Sequence, residues 1–170
     1  MTDYTMQLEE TFLDYPDPEA NAIIVYFIGC NHHCPGCHSP LLQKEINYSE
    51  TKEEMCQRIK DLAKRADTNK LVFLGGDPLY NKNIELTRYF CTELGKTHDI
   101  CIFTGYDISY VKSLNLSGVK YYKCGKFDQK IARESKKTDT MYVLASSNQD
   151  FYDSNYKKLS ENGILMFNNN

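Results

Sequence analysis

The 170-residue sequence lacks the excess of basic residues that marks a nucleic-acid-binding protein. Its formal net charge is −3 and its isoelectric point is about 5.8. No apolar run approaches the ~20 residues that a membrane-spanning helix needs, since the longest is Ala22–Ile28. The first twenty residues are acidic and polar, without the basic and apolar regions of a secretory signal. These absences predict a cytoplasmic protein that binds neither nucleic acid nor a membrane.

Internal repeats, low-complexity stretches and linkers are also missing. Hydrophobic residues make up 41% of the chain and aromatic residues 12%, so the composition excludes intrinsic disorder. At ~150 residues per domain, the length corresponds to one domain. We therefore expect residues 1–170 to form a single domain that is large enough to bury its own core.

Apolar runs that predict buried strands alternate with segments of helical periodicity. The predicted strands are Asn21–Gly29, Lys70–Leu74, Ile100–Thr104, Val119–Lys123, Met141–Ala145 and Ile164–Phe167. The predicted helices are Thr51–Ala66, Asn83–Lys96 and Ile108–Leu114. This alternation predicts an α/β fold with a mostly parallel sheet of five or six strands, curved and open or closed into a partial barrel. A complete eight-stranded barrel is excluded because it needs ~250 residues.

Seven cysteines are an odd number, and Cys30, Cys34 and Cys37 lie within eight residues of one another. An odd count without a secretory signal fits a disulfide framework poorly. The C-x3-C-x2-C spacing directly after a strand instead suits a soft metal centre. Three thiolates leave one iron of a [4Fe–4S] cluster without a protein ligand, and an open position is what a catalytic centre needs. The alternative is a zinc site whose fourth ligand is one of the neighbouring histidines, His32, His33 or His38.

A glycine-rich turn, Gly75-Gly76-Asp77-Pro78, follows the second predicted strand. The two glycines permit positive φ and a close approach of the backbone to a ligand, Pro78 fixes the turn, and Asp77 adds an acceptor. Parallel strands end at one edge of the sheet, and α/β proteins bind ligands at that edge. The turn should therefore lie beside the cysteine loop.

The two motifs together resemble the radical S-adenosylmethionine (SAM) superfamily, in which a GGEP-like motif follows the second strand. The chain carries Asp77 where that superfamily usually has glutamate, and His38 where many relatives have tyrosine. Further blocks are similar to the anaerobic ribonucleotide reductase activating enzymes: Phe12–Pro16, Gly29–His38, Thr104–Tyr106, Lys123–Phe127 and Ser146–Gln149.

The resemblance implies a partial (β/α) barrel of the radical SAM type. It also implies that Cys30, Cys34 and Cys37 hold a [4Fe–4S] cluster whose fourth iron is chelated by the amino and carboxylate groups of SAM. An electron from the cluster, delivered by a flavodoxin or ferredoxin of low potential, would cleave SAM to methionine and a 5′-deoxyadenosyl radical. That radical would take a hydrogen from a glycine Cα of the large subunit of anaerobic ribonucleotide reductase.

The resemblance assigns the amino group of SAM to the stretch Gly75, Gly76, Asp77 and Pro78. Thr104 is a further candidate for the pocket lining, although a turn that only ends the strand is the alternative. Asn148 is a candidate for a contact to ribose or adenine, and a loop cap is its alternative. Cys124 either belongs to the core or lines the site, whereas the remaining cysteines are expected in the core: Cys56, Cys91 and Cys101.

Two other functions stay open: a small-molecule radical SAM enzyme of the deazapurine-forming type, and a zinc-binding interaction module. A short chain with an incomplete barrel favours a large protein substrate, because that partner can close the open side. The charged segment Lys126–Asp139 predicts an exposed loop. Together with the tyrosine-bearing segment Tyr142–Tyr156, it is expected to border the opening.

Overall fold

The computed structural model of the protein describes residues 3–37 and 47–167. The helices in these ranges are α1 (Lys52–Arg65), α2 (Ile84–Leu94) and α3 (Ile108–Leu114), with a 3₁₀ helix at Gln129–Ile131. The strands are β1 (Asp3–Tyr4), β2 (Gln7–Thr11), β3 (Ala22–Phe27), β4 (Asn47–Tyr48), β5 (Lys70–Gly75), β6 (Asp99–Thr104), β7 (Val119–Cys124), β8 (Lys136–Lys137), β9 (Met141–Val143), β10 (Asp150–Asp153) and β11 (Ile164–Met166). His38, a candidate zinc ligand above, lies outside the described residues.

The central sheet has six strands in the order β10-β7-β6-β5-β3-β2. Its four inner strands, β3, β5, β6 and β7, are parallel neighbours. The edge strands β2 and β10 run antiparallel to β3 and β7. The predicted α/β class with a mostly parallel sheet of five or six strands is therefore confirmed, and the sheet has six. The two antiparallel edges were not predicted, because their polar sequences carry no continuous apolar run.

Two predicted strands belong to a different sheet from the expected one. Met141–Ala145 and Ile164–Phe167 are predicted above as later strands of the central sheet, but β9 and β11 pair antiparallel with each other in a separate sheet. This sheet is completed by β8, which also pairs with β9. The place beside β7 is taken by β10. An apolar pattern shows that a segment can form a strand, but it does not select the neighbour.

The helices α1, α2 and α3 cover one face of the central sheet. Helix α1 begins after Thr51, whose side chain accepts a hydrogen bond from the backbone N–H of Glu54 at 3.1 Å, as the predicted capping box requires. Ile59, Phe90 and Val111, one from each helix, are fully buried in one core with the inward residues of the parallel strands. Among the described helices, none combines the length and the apolar character needed to cross a membrane.

The opposite face of the sheet is covered over only part of its length. Near the amino ends of the strands, Ile24 and Cys101 are buried with Tyr142 and Phe151 in a second core. Towards the carboxyl ends, Tyr26, Leu74 and Phe103 on the same face are only partly buried. This uncovered part of the face is where the cavity described below lies.

The segment Lys126–Asp139 is more structured than the predicted exposed loop. It contains the 3₁₀ helix and β8, although most of its residues are exposed as predicted. Arg133 is half-buried, and its guanidinium donates hydrogen bonds to the carbonyls of Leu144 and Asn162. The segment is thus held against the small sheet by backbone pairing and by one arginine.

Candidate metal centre

The carboxyl ends of the four parallel strands meet at one edge of the central sheet. The cysteine loop follows β3, and the glycine-rich turn begins at Gly75, the last residue of β5. A cavity of about 360 Å³ opens at this edge. Its lining brings together residues that the sequence placed on separate loops: Cys30, Cys34, Cys37, Gly75, Gly76, Asp77 and Thr104.

The cysteine loop folds back on itself through a turn at Pro35 and Gly36. The N–H of Cys37 donates to the carbonyl of Cys34 at 3.1 Å, and Gly36 has φ +73°. Proline followed by glycine with positive φ is the signature of a type II turn. The turn sets Cys34 and Cys37 beside each other on the cavity wall, and the side chain of Gln129 in the 3₁₀ helix packs against Gly36.

Cys30, Cys34 and Cys37 are not joined in disulfides, and each is partly buried. Burial raises the pKa of the Cys30 thiol, while the N–H of His32 lies 3.4 Å from its sulfur and favours the thiolate. A metal would displace the thiol proton, because only thiolates are ligands. Three such thiols beside an open cavity fit an iron–sulfur cluster that keeps one iron accessible.

A mononuclear site is less well supported by the geometry. Within the described residues, one group of three potential ligand atoms lies within 4.8 Å, and it comprises Cys30, His32 and Asp77 rather than the three cysteines. The His32 Nε2 and an Asp77 carboxylate oxygen are 2.6 Å apart in a direct hydrogen bond. Ligands that each lie about 2.0–2.3 Å from one zinc ion stand more than about 3 Å apart, so this pair is too close to share the ion.

The glycine-rich turn is joined to the start of the cysteine loop by backbone hydrogen bonds. The N–H of Gly76 donates to the carbonyl of Phe27, and the N–H of Asp77 to that of Gly29, both at 2.8 Å. Gly75 has φ +119°, and a Cβ there would lie 2.3 Å from the Phe27 carbonyl oxygen. Only glycine fits this position, because the two backbones approach too closely for any side chain.

Asn83 strengthens the same junction and was not predicted from the sequence as a site residue. This buried residue precedes α2, and its side-chain amide donates to the carbonyls of Ile28 (2.9 Å), Gly29 (3.3 Å) and Asp77 (2.9 Å). An asparagine directly before a helix is typical of an N-cap. Its amide bonds to the two loops instead, and its side chain makes no cap to the helix.

The Asp77 carboxylate is buried and lies at the centre of a hydrogen-bond network. Its side chain is 1% exposed. Four groups donate to it at 2.6–3.0 Å: the N–H of Leu79, the hydroxyl of Thr104, the N–H of Gly105 and the Nε2 of His32. The carboxylate therefore ties together three loops that follow β3, β5 and β6.

Lys123 is a second residue that sequence reasoning missed, although it falls in one of the blocks that carry the resemblance. It lies on β7 and lines the cavity, with its ammonium 4.8 Å from the centre of the Phe103 ring. Burial lowers the pKa of Lys123, because few water molecules can solvate its charge. An ammonium on the cavity wall can complement an anionic group of a ligand.

The remaining predicted residues are placed as follows. Pro78 is buried, and its carbonyl accepts a hydrogen bond from Thr87 at 2.6 Å. Asn148 donates to the carbonyl of Lys126 at 2.8 Å, as a loop cap would, while its neighbour Gln149 lines the cavity. Cys124 packs in the core beneath the helices, so the core alternative describes its position.

A comparison with protein families gives a match over residues 20–152 to the family described as a 4Fe-4S single cluster domain. The chain belongs to this family. The match covers the cysteine loop, the glycine-rich turn and the four parallel strands. Neither the search of curated proteins nor the search of solved structures found a match.

Membership of the 4Fe-4S family accounts for the crowded cysteines. An iron–sulfur cluster is held by thiolates, and the three thiols of the loop lie beside a cavity that can admit a further ligand. The protein is therefore an iron–sulfur protein of the α/β class, with its candidate metal centre at the carboxyl edge of the parallel sheet.

Proposed function

We propose that the protein is a radical SAM enzyme that generates the glycyl radical of an anaerobic ribonucleotide reductase in the cytoplasm. The observation that carries this proposal is the joint position of the three cysteines, the glycine-rich turn and Lys123 around one open cavity. The parallel sheet would form the incomplete (β/α) barrel of that superfamily, as the resemblance implies.

Cys30, Cys34 and Cys37 would hold a [4Fe–4S] cluster and leave its fourth iron open. The Pro35–Gly36 turn fixes two of these thiols relative to each other. The junction between the cysteine loop and the glycine-rich turn would then set the cluster at a fixed place on the cavity wall.

SAM would occupy the cavity with its amino acid end towards the glycine-rich turn. Gly75 and Gly76 line the cavity and let the backbone approach the amino group. The ammonium of Lys123 would complement the carboxylate of SAM, which explains why a cation is kept on a poorly solvated wall. Thr104 and Asn148 remain proposals for contacts further along the ligand.

With the cluster held by Cys30, Cys34 and Cys37, the chemistry supplied would be one-electron reductive cleavage of SAM to methionine and 5′-deoxyadenosine, with the hydrogen atom taken from a glycine Cα of the partner. The residues of this chain orient the ligand and shield it on the side of the sheet. The other side of the cavity is open to a partner loop. A flavodoxin or ferredoxin of low potential would be the electron source.

The test is anaerobic mixing of the reconstituted protein with the glycyl-radical reductase of the same host, SAM and a reductant, followed by electron paramagnetic resonance. A glycyl radical signal that needs all components and is lost in Cys34→Ala is the expected result. Cleavage of SAM without any radical on the reductase would refute the activase role and favour the small-molecule alternative. One colourless zinc per chain would favour the interaction module.

A further inference from the structure

A buried side-chain hydrogen bond joins the cysteine loop to the glycine-rich turn, in addition to their backbone bonds. His32 lies between Cys30 and Cys34, and its Nε2 is 2.6 Å from a carboxylate oxygen of Asp77. The side chains of His32 and Asp77 are 6% and 1% exposed. An ionised carboxylate can only accept, so the histidine donates its Nε2–H to Asp77.

The surroundings of the His32 ring are shaped to hold it in this position. The ring packs edge to face on Tyr106, with centroids 4.5 Å apart. It also lies directly on Gly105, where a Cβ would meet the ring at 2.7 Å. A larger residue at position 105 would therefore push the ring away from Asp77.

The Asp77 carboxylate has no acceptor site left for a ligand. An ionised carboxylate offers about four lone-pair sites. Four donors already occupy them, from His32, Leu79, Thr104 and Gly105. The acceptor sites of the Asp77 side chain are therefore occupied by groups of the protein itself. A ligand at this turn would be bound by backbone groups.

We propose that His32 is a positioning residue that fixes the cysteine loop on the glycine-rich turn through its hydrogen bond to Asp77. Because it sits between two of the three thiols, fixing its ring fixes the path of the loop on both sides. This inference rests on the proposed function only for the identity of the metal that the thiols hold. In the metal-free chain the hydrogen bond from His32 to Asp77 still restrains the loop.

The test compares two variants that break the bond in different ways. His32→Phe keeps an aromatic ring against Tyr106 but removes the donor. Gly105→Ala keeps every polar group but displaces the ring, since its Cβ would lie 2.7 Å from it. His32→Gln restores a donor, and His98→Gln controls for the loss of a distant histidine.

The measurement is the rate at which iodoacetamide alkylates each cysteine of the metal-free protein, followed by peptide mass spectrometry. We expect Cys30 to react roughly ten- to hundredfold faster in His32→Phe and in Gly105→Ala, which is the range for a lost hydrogen bond to a buried charge. His32→Gln should recover much of the protection, and His98→Gln should match the parent. The double variant His32→Phe/Gly105→Ala should react no faster than either single variant, because both remove one bond.

Two further measurements help to interpret the result. Labelling of the core cysteines detects unfolding, and the iron content tests whether the protein holds an iron–sulfur cluster. Cys91 and Cys101 are buried and must stay unreactive, since their labelling would show that a variant has unfolded. Iron loss from the reconstituted protein to a chelator should speed up in the same two variants. Unchanged Cys30 labelling in both variants would overturn the positioning role. Absence of iron from the parent protein would instead overturn the proposed function.

Discussion

Lys123 offers a direct test at the residue scale, since its ammonium lies on the wall of the cavity near the ring of Phe103. Its folded pKa is lowered by burial, so the unfolded chain binds its proton more tightly than the folded one. The charge therefore destabilises the fold at neutral pH. This penalty falls as the pH rises through the lowered pKa, and it vanishes above the unfolded value of ~10.4.

Lys123→Met should stabilise the ligand-free protein and weaken SAM binding. Removing the poorly solvated charge should raise the melting temperature at pH 7 by about 2–4 °C for each kcal/mol of relieved penalty. The gain should shrink towards pH 10, where the lysine loses its proton. Melting curves of parent and variant between pH 7 and pH 10 check this. Lys120→Met, on an exposed position of the same strand, is the matched control and should show no such trend.

On the proposed function, Cys30, Cys34 and Cys37 are cluster ligands and the other cysteines are core residues, and single substitutions should separate the two groups. Alanine at Cys30, Cys34 or Cys37 leaves two thiolates, which should not hold a cluster, so iron and sulfide content should fall to background. Alanine at Cys56 or Cys91 should leave the cluster intact, because both side chains pack between helix and sheet. Full iron and full activity in Cys34→Ala would show that the cluster is held elsewhere.

At the scale of elements, the glycine-rich turn should serve the ligand and not the cluster. Gly76 lines the cavity, so Gly76→Val should weaken SAM binding while iron content is kept. Gly75→Ala differs, because its Cβ would strike the Phe27 carbonyl at 2.3 Å and distort the end of β5. Equilibrium binding and iron analysis check both. Loss of iron with unchanged SAM affinity in Gly76→Val would show that this part of the turn serves the cluster.

The helices and the inner strands could be predicted because their signals are local. Helix Ile108–Leu114 has the predicted bounds, and α1 starts after the Thr51 cap as its sequence indicates. The inner strands β3, β5 and β6 are buried over most of their length and therefore contain apolar runs. The edge strand Gln7–Thr11 is polar and mostly exposed, so its sequence resembles that of a loop.

The candidate site could be predicted only where one motif carries it. The cysteine loop is one continuous stretch of sequence, and so is the glycine-rich turn. Because parallel strands end at the same edge of a sheet, the two could be predicted to lie side by side. Three further features of the site could not be predicted in this way. The bond from His32 to Asp77 and the bond from Asn83 to Ile28 join residues 45 or more positions apart. The place of Lys123 depends on the direction of its side chain. Such contacts follow from tertiary packing, which no sequence period encodes.

At the scale of the whole molecule, the cavity is open where a partner could enter. The 3₁₀ helix Gln129–Ile131 packs beside the cysteine loop and carries exposed residues, with Ile131 42% exposed. Lys130 and Lys136 are exposed on the same segment. Arg133 between them is not a docking candidate, because its guanidinium bonds to two backbone carbonyls of the small sheet.

Charge reversal at Lys130 and Lys136 together should weaken activation of the reductase and make it less sensitive to salt. Exposed charges at an interface act mainly on the rate of association, and salt screens them. The cluster spectrum should not change. Radical yield across salt concentrations checks this, with Arg133→Glu expected to lower the melting temperature instead. Normal activation by the Lys130→Glu/Lys136→Glu variant would place the docking face elsewhere.

The most direct test of the account is the electron paramagnetic resonance spectrum of the reduced, anaerobically reconstituted protein before and after addition of SAM. The account predicts about four irons per chain and a cluster signal that changes with SAM, because the fourth iron is open to the ligand. It also predicts that the change is kept in Cys56→Ala and diminished in Lys123→Met. A fully loaded cluster whose spectrum is the same with and without SAM would contradict the account.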